Sequence, residues 1–209
     1  LAPTVPTARR VPDRMDAMVP QRADCGAADD TLIRRVVEGD ATAWPALVDR
    51  HIGPITAFAW HMLGDRADAE DVAQETFLRL FRKAPTWQPG GALLRTWLTR
   101  VANNLCIDRA RSRRVLALDV VDPEDLALDG EEPLQVRLDR QRALGTAMAG
   151  LPARQRGAVV LVHYQGFSQR EAAESLGVTV EALESLLARA RRSLRQALSP
   201  LLDDLLERQ

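Results

Sequence analysis

Six arginines and a single aspartate fall in the twenty residues from Arg95 to Arg114, together with Trp97, Asn103 and Asn104. Guanidinium groups attract phosphates, while indole and amide side chains stack on unpaired bases or hydrogen-bond to them. A second arginine group lies at Arg189, Arg191, Arg192 and Arg195. Taking about 100° per residue for a helix, Leu183, Leu187, Ala190 and Leu194 form one narrow apolar stripe there. Glu181, Ser185, Ala188, Arg189, Arg192 and Arg195 share the broad opposite face. Such a helix suits a DNA groove, because arginine contacts phosphates and guanine edges alike. An ordinary solvated surface helix carries the same pattern, so the elements around each cluster must decide.

Other chemistry finds less support. There is no P-loop, G-x-G-x-x-G or nucleophile elbow and no convincing acid–base pair, which makes an enzyme the weakest class. Cys25 and Cys106 are too scattered for a disulfide framework. With His51, His61 and His163 they form no H-E-x-x-H or C-x-x-C spacing, so neither a metal nor a cofactor is expected. The formal net charge of −1 gives no bulk argument for nucleic acid, but 27 of the 28 basic residues are arginine and the charge lies in blocks. No window approaches the roughly 18 apolar residues of a membrane span. The first residues hold no continuous apolar stretch of the secretory kind. A reducing cytoplasm is the expected compartment.

The elements that must position these clusters read almost wholly as helix, rich in alanine, leucine and arginine. Residues 1–28, with four prolines, read as a flexible tail. Asp29 and Asp30 are expected to cap a helix beginning near Thr31 and closed by Gly39. One or two helices follow, with a break or kink at Gly53-Pro54, and Gly64 ends that stretch. Asp65 or Asp68 caps the next. In Asp68–Ala84, helical spacing gathers Val72, Ala73, Thr76, Phe77, Leu80 and Phe81 on one side and Asp71, Gln74, Glu75 and Leu78 on another. Prolines and glycines make APTWQPGG a loop. A long helix then runs to the arginines, with a seam of Leu94, Leu98, Val101 and Leu105. Residues 115–133 hold seven acids and no base, the composition of a linker. Beyond it, Ser168 and Glu171 have capping-box spacing, Gly177 marks a tight turn and Thr179 caps a longer basic helix. That order is the helix-turn-helix pattern.

The strings AEDVAQETFLRLF, RTWLTRVANNLCIDRARSRR and LPARQRGAVVLVHYQGFSQREAAESLGVTVEALESLLARARRSL, with the acidic stretch between the second and third, resemble a bacterial extracytoplasmic-function sigma factor of the sigma-70 family. The likeness runs from about Asp29 to Leu198 in order and spacing. It implies an all-α chain of two small helical domains joined by an acidic flexible linker, the second domain bearing the helix-turn-helix. The divisions are a tail over 1–28, a region 2 like domain over 29–114, a linker over 115–133, a region 4 like domain over 134–200 and a tail over 201–209. It implies no catalysis of the chain's own, but recruitment of core RNA polymerase to promoter DNA and help in parting the strands.

The same resemblance implies site residues. Asp71, Gln74, Glu75 and Leu78 match the segment that docks on the β′ clamp helices, while the second domain meets the β flap. Trp87 sits in the loop that pockets a flipped base, and Asn104 and Asp108 match polar positions near the melted strand. Arg100, Arg109, Arg111, Arg113 and Arg114 match backbone-phosphate contacts of the minus-ten segment. Thr179, Glu181, Ser185, Arg189, Arg191 and Arg192 belong to the helix-turn-helix that reads the minus-thirty-five element. Two positions that are habitually basic in that helix are Glu184 and Leu186 here. An anti-sigma factor is a further implied partner. Two rivals stay open: a sigma-like decoy that binds an anti-sigma factor without touching DNA, and a conventional helix-turn-helix regulator.

Overall fold

The computed structural model describes residues 22–113 and 134–206. Among those residues the secondary structure is helical, with eight α-helices and no strand. The acidic segment expected as a linker lies outside the described residues.

α1 (Arg22–Val37) begins well before the expected cap. Asp29 and Asp30 sit inside it, because both carboxylates are spent on tertiary partners rather than on amides of their own helix. Asp29 is buried and accepts from Arg50 at 2.7 Å, with His51 Nε2 at 3.0 Å. Burial pushes its carboxyl up, but His51 and Arg50 outweigh that and hold it below the ordinary 3.8. Gly39, at φ +83°, closes the helix as expected. α2 (Ala43–Leu63) is one helix rather than two, with Pro54 inside it. Gly64 ends it in the left-handed conformation (φ +69°), which suits glycine.

Asp65 is the cap of α3 (Arg66–Lys83), accepting from the Asp68 amide. A 3₁₀ turn, Ala84–Thr86, leads through the loop to α4 (Leu94–Arg113). α1 to α4 form the first unit, with Leu47, Phe58, Leu80, Leu94 and Leu98 fully buried. The second unit holds α5 (Leu134–Ala149), α6 (Ala153–Val159), α7 (Gln169–Leu176) and α8 (Val180–Leu206). The helix expected after Pro152 opens at Val160–Tyr164 into a π turn. α8 extends to Leu206, into the stretch read as a tail. One apolar core runs without interruption through both units, from Leu32 and Ile33 to Leu187 and Ala190.

Candidate nucleic-acid interface

α3 buries Val72, Ala73, Thr76, Phe77 and Leu80, so its other side faces out. Asp71, Gln74 and Leu78 are exposed and Glu75 is half-buried, forming an ion pair with Arg79 at 2.8 Å. Leu78 is 44% exposed, a large apolar side chain left in water. With Trp44, Val48, Ile52, Gln74 and Phe77 it lines an open groove of about 380 Å³. Phe81 departs from the expected buried side. It is 56% exposed and stands edge-on to Trp44 at 5.2 Å, while Ala84, three residues on, is buried.

Asp71 also has a partner that sequence reasoning missed. Arg109 of α4 reaches Asp68 at 2.8 Å and Asp71 at 2.6 Å. One residue expected at polymerase and one expected at phosphate therefore offset each other's charge in this structure. Arg100, Asn104, Asp108 and Arg111 are exposed along α4. Arg113 lies in the helix, but its side chain and the whole of Arg114 fall outside the described residues.

The buried seam of α4 is Leu94, Leu98, Ala102 and Cys106, stepping by four, with Val101 and Leu105 only half-buried. Thr99 and Asn103 are buried too. α4 is covered from two directions, which the expected one-sided seam did not allow for. Burial pushes the Cys106 thiol up to about 12, so it stays protonated. Trp87, assigned to a base pocket, is half-buried, stands edge-on to Trp97 at 6.0 Å and donates its indole N–H to Asp30 at 2.8 Å.

In the second unit the reading of residues and the geometry agree closely. Ser168 and Glu171 form the reciprocal capping box of α7. Gly177 turns the chain at φ +64°, and the Thr179 hydroxyl accepts from the Ala182 amide at 3.2 Å. α8 buries Leu183, Leu187 and Ala190. Thr179, Glu181, Glu184, Ser185, Arg189, Arg191 and Arg192 are exposed. The Glu181 backbone amide and the Thr179 hydroxyl hold the Glu181 carboxyl below its ordinary value.

α7 also packs directly on α4. Arg95, in the first turn of α4, donates to Glu171 and lies 4.3 Å over the Phe167 ring. Arg156 donates to the Met62 carbonyl at 2.6 Å and to the carbonyls of Ala149 and Leu151. Gln165 donates to the Pro54 carbonyl at 2.7 Å, and the rings of His61 and Tyr164 are 4.7 Å apart. A Cβ on Gly157 would stand 3.3 Å from Asn103 Oδ1, so α6 also meets α4 closely. Burial raises the Glu171 carboxyl, but Ser168 and Arg95 more than reverse this and hold it below 4.5. One signal was available in the sequence: a cation in the first turn of a helix opposes the macrodipole and calls for a partner.

Residues 47–115 match the family model for Sigma-70 region 2, and residues 141–194 that for Sigma-70, region 4. The chain is 31% identical over 180 residues to ECF RNA polymerase sigma factor SigW of Bacillus subtilis (strain 168), an alignment covering 81% of this chain and 96% of SigW. The chain belongs to the extracytoplasmic-function sigma factors. ECF RNA polymerase sigma factor SigE of Mycolicibacterium smegmatis is 34% identical over 169 residues, covering 77% of this sigma factor. This sigma factor spans only 65% of the length of SigE and 64% of that of BldN from Streptomyces coelicolor. Among solved structures it resembles CnrH, solved with the cytosolic domain of CnrY, at a TM-score of 0.61 and 30% identity over 85% of this chain and 98% of that one. RpoE of Bartonella quintana, solved with the anti-sigma factor NepR, shares the fold at a TM-score of 0.58 and 24% identity over 73% of this chain and 94% of that one. Among the described residues of this sigma factor, no helix is long and apolar enough to cross a membrane, and no group of three His, Cys, Asp or Glu residues could hold a metal.

Proposed function

We propose that this chain is a promoter-specificity subunit of bacterial RNA polymerase that acts in the cytoplasm and contributes no catalytic step of its own. The α3 face of Gln74 and Leu78, with Asp71 and Glu75 at its edge, docks on the β′ clamp helices, and the second unit meets the β flap. The loop carrying Trp87 and the exposed Asn104 and Asp108 of α4 engage the minus-ten element and its separated strands. Arg100, Arg111, Arg113 and Arg114 hold phosphates, joined by Arg109 once Asp71 is engaged elsewhere. α8 approaches the minus-thirty-five element through Ser185, Arg189, Arg191 and Arg192, with Thr179 and Glu181 at its start. An anti-sigma factor that grips both units is the regulatory partner.

The observation that supports this reading is the pairing, on one chain, of an exposed apolar α3 face with a capped helix-turn-helix bearing outward arginines. A regulator acting through the helix-turn-helix alone has no use for the first. The decisive experiment adds the purified chain to core polymerase and measures initiation on DNA that core alone ignores. Initiation from a defined start supports the reading. Binding to an anti-sigma factor with no initiation replaces it with the decoy.

A further inference from the structure

Two neighbouring carboxylates of α1 are committed to different elements. Asp29 is 3% exposed and holds Arg50 and His51 of α2. Adjacent helical positions point about 100° apart, so fixing Asp29 on α2 fixes the direction of Asp30. That direction is the loop between α3 and α4. Asp30 Oδ1 accepts the Trp87 indole N–H at 2.8 Å, and Oδ2 accepts the Gly90 backbone N–H at 3.0 Å. Gly90 is left-handed at φ +74°, and open space surrounds the place of a Cβ, so the constraint there is conformational. Between these anchors Gln88 and Pro89 are exposed, as are Gly91 to Leu93 beyond them.

We infer that Asp30 is a positioning residue for the reading of separated promoter strands: its carboxylate clamps both sides of the Trp87–Gly90 turn and so sets the shape in which the loop meets an unpaired base. The inference rests on the proposed function, and it assigns to α1 a role that no match in the sigma-70 regions assigns, since region 2 matches only from residue 47. One carboxylate is needed for both bonds. The two oxygens of aspartate accept one N–H each, whereas asparagine keeps one acceptor and turns the other position into a donor facing an N–H. A loop held by one bond samples more shapes, and selectivity between bases falls while attraction to phosphate does not.

The test uses the full chain with core polymerase. A promoter is first selected from a randomised duplex library by the wild-type chain, and its single-base variants across the opened segment form the probe set. Asp30→Asn and Asp30→Ala are expected to bind core as the wild type does but to lose about five- to tenfold of the preference for the selected base, the scale of one or two hydrogen bonds. The Trp87 indole resonance, identified by its loss in Trp87→Phe, shifts in both variants. If Asp30→Ala loses helicity, Asp30→Asn carries the comparison alone. Wild-type preference in a folded variant whose indole resonance has moved overturns the inference. No initiation by the wild-type chain overturns the proposed function instead.

Discussion

Arg95 and Glu171, 76 residues apart in sequence, join the first turn of α4 to the first turn of α7 through a hydrogen-bonded ion pair. Glu171 does two jobs there. It completes the capping box with Ser168 and accepts the guanidinium of the other unit.

The two jobs separate by substitution. Glutamine serves at the third position of a capping box, so Glu171→Gln keeps α7 and removes the charge. Arg95→Ala removes the donor and its stacking on Phe167. Each is expected to favour separation of the units by about 1.5–3 kcal/mol, the scale of a hydrogen bond to a charged group. Distance measurements between labels on α2 and α8, with circular dichroism unchanged, check this.

The pH dependence follows from the depressed Glu171 carboxyl, whose ordinary value is 4.5. A group with a lowered folded value contributes fully above its ordinary value and loses that contribution as pH falls through the folded one. Ser168 supplies more of that lowering than Arg95 and stays when the units part, so only the Arg95 share is linked to closure. The closed arrangement should hold at neutral pH and loosen as pH falls through the lowered carboxyl value, below 4.5. The same distance measurement across an acid titration follows it. Glu171→Gln should flatten this component of the profile.

Docking is tested on α3. Gln74→Ala with Leu78→Ala is expected to weaken binding to core polymerase by more than about 1 kcal/mol per residue, as truncation of central contact residues does. Both side chains are exposed, so helicity should be unaffected. Equal titration curves for variant and wild type remove this face from the interface.

Strand opening is tested on α4. Asn104→Ala and Asp108→Ala should lower the permanganate reactivity of unpaired thymines more than they lower polymerase binding. Arg111→Ala should weaken DNA contact uniformly across sequences and reduce the salt slope by about one.

The start of α8 supplies the last test. Glu181 and Glu184 stabilise a helix N-terminus but repel phosphate, and recognition helices present that end to the bases. DNA binding by the chain alone should thus be weak. Glu184→Lys should strengthen it on related and unrelated duplexes alike, while Arg189→Ala or Arg192→Ala weakens it. Fluorescence anisotropy at two salt concentrations measures all three.

What could be read from the residues was whatever a single helix decides for itself. The Ser168–Glu171 box, the Gly177 turn and the Leu183, Leu187, Ala190 stripe came directly from spacing. What needed a neighbour was not visible. Asp29 and Asp30 look like caps until Arg50 and the loop are in place, and Phe81 looks buried by spacing but stands exposed against the edge of Trp44. Nothing in the helix of Arg109 reveals its ion pairs with Asp68 and Asp71. The α4–α7 contact was least legible, since pairing between surface charges far apart in sequence has no periodicity.

That contact also fixes a length. On the proposed reading the two units serve elements about 25 base pairs apart, or roughly 85 Å at about 3.4 Å per step along the duplex. Helices that touch cannot reach both, so every productive complex begins with their parting. The twenty residues 114–133 span at most about 70 Å when fully drawn out, at roughly 3.5 Å each. The breadth of the two units shortens what must be bridged, since α4 alone, at twenty residues, is about 30 Å long at about 1.5 Å per residue.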